Sequence, residues 1–141
     1  MLPLSRPIDT DSEAAASVPQ FFVSVINESN QTLTLAAVNA SAGCGWVQEP
    51  YPGETLAPGD ERVWCGMPAG LHYPISLHLV LSAASGGEIH VSLQRPAGAA
   101  ARLQVDNLGA DALLARALLQ RADSSSPFVM VLIGKSDSIA A

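Results

Sequence analysis

The chain has 141 residues, enough for one domain with its own core. Apolar residues make up 48% and charged residues 14%, which excludes a disordered chain for most of this length. The net charge is -6 and no basic stripe exists, so a nucleic-acid partner is not expected and an anionic membrane would repel the chain. No apolar run approaches the roughly 18 residues of a membrane span, so no transmembrane segment is predicted.

Residues 1–18 are predicted to be a disordered leader. They lack the apolar stretch of a signal peptide and turn acidic from Asp9 onward. A single domain is expected over residues 19–134, with a flexible tail over residues 135–141. The sequence therefore predicts synthesis in the cytoplasm, and secretion would need a non-classical route.

The first predicted element is a β-hairpin within residues 20–39. Two stretches of alternating residues flank Asn27-Glu28-Ser29-Asn30, a turn whose side chains can bond their own backbone. Two Pro-Gly turns and a short strand over residues 61–65 follow.

The clearest alternation lies in residues 75–93. Apolar residues occupy every second position on both sides of Ser85-Gly86-Gly87, which predicts a half-buried antiparallel hairpin with one wet face. Residues 102–106 are expected to add another strand. The spacing of about seven such strands predicts a mainly β protein, an antiparallel β-sandwich.

The C-terminal third differs in composition. Residues 110–121 are rich in helix formers, and Leu113, Leu114, Ala117 and Leu118 fall on one helical stripe, so a short helix is predicted, with a strand imposed by the sheet as the alternative. The apolar run FVMVLI, residues 128–133, predicts a strand buried on both faces.

Aromatic side chains are concentrated in or beside the Pro/Gly-rich loops. Rings with a polar group suit an interface or a lipid headgroup pocket. The alternative for the two tryptophans is that they fill the end of the core. The candidate lipid-binding residues are Trp46, Tyr51, Trp64 and Tyr73.

The two cysteines, Cys44 and Cys65, allow one disulfide, and the alternative is two buried free thiols. They form no CxxC motif. His78 and His90 share the polar face of the predicted hairpin and should lie opposite or diagonal to each other. With Glu88 as the only nearby carboxylate, they are weak metal candidates, and two solvated histidines are the preferred interpretation.

A faint similarity to the second cupin motif supports a third hypothesis, a cupin-like metal enzyme. Pro68-Ala69-Gly70 is followed by His72, one residue earlier than the motif requires, and the upstream His-x-His is absent. No nucleophile motif or phosphate-binding loop is present. The sequence therefore predicts no catalytic residue and no cofactor.

Several short segments follow one another in a definite order over residues 20–121: the turn VINESN, the stretch Asn39-Ala40-Ser41 followed by Gly45-Trp46, the turn Leu56-Ala57-Pro58-Gly59, the strand end Cys65-Gly66 with Gly70 beyond it, Arg95-Pro96 and Asn107-Leu108. This order of features resembles the aegerolysin family of small β-sandwich proteins. Two departures stand out: the strand before Pro96 is not aromatic, and the helix-like ADALLARALLQ stands where the family has a strand.

The resemblance implies a non-enzymatic protein that binds membrane lipid, a neutral sphingolipid or a sterol-rich mixture, in some members together with a larger perforin-like protein. The alternative is a protein-interaction domain without lipid activity, in which the apolar strand 128–133 pairs with another chain.

Overall fold

The fold was established from a computed structural model that describes residues 20–41, 44–68, 74–97, 99–124 and 126–136. The predicted leader, and the tail beyond Ser136, lie outside these residues. The described chain contains ten strands and no helix, so the mainly β class is confirmed with more strands than the seven expected. The strands are β1 (Phe21–Asn27), β2 (Leu33–Ala40), β3 (Cys44–Gln48), β4 (Thr55–Leu56), β5 (Glu61–Pro68), β6 (Ile75–Ala83), β7 (Glu88–Arg95), β8 (Arg102–Leu108), β9 (Leu113–Gln120) and β10 (Phe128–Lys135).

Two five-stranded sheets pack face to face. Sheet A has the order β3-β5-β1-β10-β9, and sheet B has the order β4-β2-β6-β7-β8. All described strand pairs are antiparallel except β1 with β10, which is parallel and corrects the expectation of a wholly antiparallel sandwich. Since no described segment is helical, none is a helix that could cross a membrane.

The predicted hairpin over residues 20–39 is wrong, because β1 lies in sheet A and β2 in sheet B. Phe21, Val23 and Val25 point into the core from one side, and Leu33 and Leu35 point into it from the other. Alternation along two neighbouring strands is the same whether they pair within a sheet or face each other across a sandwich, so the sequence pattern could not separate the two cases.

The crossover between the two sheets is held by Asn27, whose side chain is fully buried. Its amide nitrogen donates to the carbonyls of Gln31 at 2.8 Å and Leu56 at 2.9 Å. Its amide oxygen accepts from the backbone and the hydroxyl of Ser29. All hydrogen-bonding positions of the side chain are thus used, which fixes where the chain leaves sheet A.

The predicted hairpin over residues 75–93 is confirmed as β6 and β7, and the strand over residues 102–106 is confirmed as part of β8. The alternating apolar residues face the core, where Leu79, Leu81 and Ile89 are fully buried.

The predicted helix over residues 110–121 is wrong, because this segment contains β9, which pairs with β10 at eight positions. The expected helical stripe is divided between two faces: Leu113 is buried, whereas Leu114 and Leu118 are 41% and 52% exposed. Without β9, one edge of β10 would carry unpaired backbone groups, so sheet pairing overrides the local helix propensity. The structure therefore has a strand, β9, at the place where the aegerolysin family has a strand.

Residues 128–133 form a strand as predicted, but only one of its faces is fully covered. Val129, Val131 and Ile133 are fully buried between the sheets, whereas the outward side chains of Phe128, Met130 and Leu132 are half-buried. The hypothesis that this strand pairs with another chain is wrong, since β1 and β9 already bond both of its edges.

Candidate functional site

Trp64, one of the four aromatic candidates, lies in the core and is 1% exposed. It faces inward from β5 opposite Val23, because Val63 and not Trp64 takes the outward position at this point of the strand. The structure corrects its assignment as a lipid-binding residue and supports the alternative that it fills the core.

Trp46 is half-buried at the edge of sheet A. Its ring meets the ring of Phe21 edge-on, with 5.6 Å between centroids and an interplanar angle of 72°. Phe21 in turn lies over Gly66, where an added Cβ would clash with the Phe21 ring. Trp46 therefore closes one end of the core, and only part of its ring faces solvent. Tyr73 lies outside the described residues.

Tyr51 is the candidate that the structure presents to solvent, with 59% of its surface exposed. It belongs to the segment joining β3 to β4, residues 49–54, called here the Tyr51 loop. Its backbone nitrogen donates to Glu54 Oε2 at 2.6 Å, and the Glu54 nitrogen donates to the Tyr51 carbonyl at 3.1 Å. Gly53 and Glu54 also exchange backbone hydrogen bonds with Leu35, which fix the loop to sheet B. The ring is thus held outward on a fixed backbone.

The Tyr51 loop is acidic. The negative charge of Glu49 and its hydrogen bond to the phenol, with a smaller effect of Glu54, raise the pKa of Tyr51. Arg62 Nε lies 3.7 Å from Glu54 Oε1 and partly balances that carboxylate. An exposed aromatic face beside two carboxylates can receive an ammonium group and disfavours an anion.

Val47 is an exposed side chain that the sequence did not single out. It lies in β3 at a register shift between Trp46 and Gln48, and it is 60% exposed. A bulge turns a side chain out of the regular alternation, and the sequence alone carried no sign of this bulge. Val47 adds apolar surface next to the segment that leads into the Tyr51 loop.

The two histidines lie diagonally on the outer face of sheet B, as predicted. His78 Nε2 and His90 Nδ1 are 2.9 Å apart, and His90 Nε2 lies 3.0 Å from Glu88 Oε1. The facing nitrogens are therefore engaged in hydrogen bonds. Within the described ranges no group of three or more ligating side chains is placed to hold a metal ion. His72 of the cupin-like stretch lies outside these ranges.

Cys65 is a free thiol that is 8% exposed, and burial raises its pKa. In the β3–β5 pair Cys65 lies opposite Gln48, whereas Cys44 lies opposite Pro68. Three residues of strand separate these two positions by about 10 Å, beyond the reach of a disulfide. Cys65 therefore acts as a small buried apolar side chain.

A shallow depression on the outer face of sheet B is lined mainly by polar side chains. It contains no pair of acidic and basic groups suited to proton transfer, and its lining is Ser92, Gln94, Arg102, Leu103 and Gln104.

The sequence matches no protein-family model and no curated protein. Solved structures share the fold, among them the two that follow. The lipid binding protein Nakanori is 12% identical, with a TM-score of 0.66 over 92% of this chain and 77% of Nakanori. IP-1A from Alcaligenes faecalis is 8% identical, with a TM-score of 0.64 over 89% of this chain and 97% of IP-1A. At these identities the likeness shows the fold, and at that level the predicted aegerolysin resemblance is confirmed.

Proposed function

We propose that this chain is a non-enzymatic binding module that docks on membrane lipid through the Tyr51 loop. The observation that carries the proposal is the ring of Tyr51, 59% exposed on a loop fixed by its own hydrogen bonds. The shared fold with Nakanori, a lipid binding protein, supports lipid as the class of ligand.

The charge of the loop indicates which headgroup fits. A quaternary ammonium group is attracted to the face of an aromatic ring, and Glu49 and Glu54 add negative charge beside the Tyr51 ring. Zwitterionic phosphocholine headgroups carry such a group at their outer end. Anionic headgroups would meet these two carboxylates and a chain of net charge -6. A phosphocholine headgroup therefore suits the site, and the choice of a neutral sphingolipid in a sterol-rich membrane rests on the family resemblance.

The proposal is tested by co-sedimentation with vesicles of sphingomyelin and cholesterol, of phosphatidylcholine, and of phosphatidylserine. Binding is expected to the first two and not to the third. Replacing Tyr51→Ala should weaken binding about tenfold or more, because the buried aromatic surface is lost. Tyr51→Phe should retain most binding, since the ring remains. The matched control is Leu108→Ala, at a side chain of similar exposure, 56%, on sheet B.

Salt separates this mechanism from simple charge attraction. Binding through ring and apolar contact should change little as salt rises, because screening acts mainly on exposed charges. If Tyr51→Ala binds like the parent, or if phosphatidylserine vesicles bind best, the proposed site is wrong.

A perforin-like partner and export by a non-classical route rest on the family resemblance and the sequence, and both stay predictions. In such a pair the larger protein makes the pore. Vesicles with bound chain alone should therefore retain a trapped dye.

A further inference from the structure

The outer face of sheet A is apolar. In a two-layer sandwich the outward side chains normally alternate as polar residues toward water. Here half-buried or exposed apolar side chains occupy most outward positions of four strands, and no described segment covers them: Phe22, Ile26, Val63, Leu114, Leu118, Phe128, Met130 and Leu132. An exposed apolar surface of this extent is typical of an interaction site.

One row of neighbouring outward side chains across this face has a charged residue at each end. The strand register places Arg116, Leu132, Ile26 and Glu61 side by side across β9, β10, β1 and β5. Arg116 is exposed and forms no ion pair with any described residue. Glu61 is exposed as well, and its Oε2 accepts a hydrogen bond from the Ser24 hydroxyl at 2.9 Å. The row thus begins with a cation, is apolar in the middle and ends with an anion.

Such a row is complementary to itself. A two-fold axis parallel to the strands, placed above the boundary between β10 and β1, sets β9 over the partner's β5 and β10 over the partner's β1. Arg116 then faces the partner's Glu61, and the symmetry repeats this ion pair at the opposite edge. The sheets remain roughly aligned, as sandwich packing prefers.

The next row fits the same arrangement. It consists of Leu118, Met130, Ser24 and Val63 in the same strand order. The same axis places Leu118 over the partner's Val63 and the long side chain of Met130 over the partner's small Ser24. Apolar thus meets apolar, and a large side chain meets a small one.

We propose that the outer face of sheet A binds a second copy of this chain in a two-fold dimer closed by reciprocal Arg116–Glu61 ion pairs. A lipid surface would need no opposite charges at the two edges of one row, and this charge complementarity favours a second copy. The four facing strands, of seven or eight residues each, cover roughly 500 Å² per partner, since strands lie about 4.8 Å apart and rise about 3.3 Å per residue. Such a contact is at the low end of specific interfaces, so the dimer should dissociate on dilution in the micromolar range.

The test is sedimentation velocity over a range of concentrations, with folding of each variant checked by circular dichroism. The parent should pass from monomer to dimer. Arg116→Glu and Glu61→Arg should each weaken the dimer at least about tenfold, because like charges then face each other. The double variant with both changes restores the pairing in reverse and should recover most of the affinity. Arg102→Glu, at an exposed arginine on sheet B, is the matched control and should dimerise like the parent.

Leu118→Asp provides an independent variant, because this side chain is 52% exposed and its replacement spares the core. It should weaken the dimer as well. A parent that stays monomeric up to about 1 mM overturns the proposal, since even a weak interface would be occupied there. A double variant that folds but does not recover the affinity of the dimer also overturns the proposal. If the parent is monomeric and Leu118→Asp loses vesicle binding, lipid covers this face and the dimer is wrong.

Discussion

The outer faces of the two sheets differ, although both sheets are built from the same alternation of inward and outward residues. On sheet B the outward residues bond one another, as in the chain from Glu88 through His90 to His78. Its outward set is predominantly polar: Thr34, Ala37, Asn39, Thr55, Ser76, His78, Val80, Ser82, Glu88, His90, Ser92, Gln94, Arg102, Gln104, Asp106 and Leu108. On sheet A the outward residues are mainly apolar. The outer face of sheet B is therefore polar enough to face water, whereas the outer face of sheet A has the apolar composition of an interaction surface.

The difference follows from particular strands. In β6 and β7 polar residues take every outward position except Val80, which is 8% exposed beside the histidine pair. In β10 the outward positions are Phe128, Met130 and Leu132. A continuous apolar run of residues predicts that both faces of the strand are covered, and the described residues cover one of these faces. The uncovered side is the face on which we propose that a second copy binds.

Disrupting the crossover between the two sheets should reduce the stability of the protein most. Asn27→Ala removes the donors to the buried carbonyls of Gln31 and Leu56 and the acceptor of Ser29. Each buried group left unbonded costs about 1–3 kcal/mol, so the free energy of unfolding should fall by about 3 kcal/mol or more. Urea unfolding measures the loss. Asn30→Ala, in the same turn but exposed, is the control and should stay within about 0.5 kcal/mol of the parent.

A pair of substitutions in β10 distinguishes the inner face of sheet A from its outer face. Val131→Thr places a hydroxyl in the core and should lower the free energy of unfolding by about 1–3 kcal/mol. Met130→Gln, on the adjacent outward side chain, should change it by less than about 0.5 kcal/mol in dilute, monomeric protein. Equal losses would mean that the outer face is needed for folding, against the interpretation of it as an association surface.

Much of this architecture could be predicted from the sequence, and the failures have physical causes. The hairpin of β6 and β7 was predictable because strict alternation and a Ser-Gly-Gly turn are local signals. The pairing of β1 with the distant β10 was not, because long-range pairing leaves no local pattern. The strand β9 was mistaken for a helix, since its composition favours a helix until β10 is present as a partner.

The candidate site was predictable in part. Tyr51 could be selected as a candidate because an aromatic residue in a Pro/Gly-rich loop is a local signal, and its role in lipid binding stays a prediction. Trp64 was misplaced, because a tryptophan in a short strand is equally compatible with the core. Asn27 and Asn107, which fall in segments of the family resemblance, have structural roles, since the Asn107 amide bonds the carbonyls of Ala110 and Leu113.

A smaller effect should follow from the hydrogen-bonded face of sheet B. His78→Ala removes the hydrogen bond to His90 and should lower the free energy of unfolding by about 1 kcal/mol. Ser76→Ala, two residues away on the same face, should have almost no effect on urea unfolding. If both variants match the parent, the polar contacts of sheet B contribute nothing measurable to stability.

The smallest predicted change in the free energy of unfolding involves Cys65, on the outer side of β5. Because burial raises the pKa of this thiol in the folded protein, its contribution to stability is complete below the ordinary thiol pKa of about 8.5. That contribution is lost as the pH rises through the raised value. The difference in unfolding free energy between the parent and Cys65→Ala should therefore shift against the parent between about pH 8 and pH 10. A constant difference would indicate that the thiol is as accessible in the folded chain as in the unfolded one.

Hydroxyl-radical footprinting of the protein, free and bound to sphingomyelin–cholesterol vesicles, tests whether lipid and a second copy use different surfaces. Oxidation of Tyr51 should fall on vesicle binding, while oxidation of Met130 and Leu118 on the outer face of sheet A should stay unchanged. New protection at Met130 and Leu118, with Tyr51 still oxidised as in the free protein, would contradict the account.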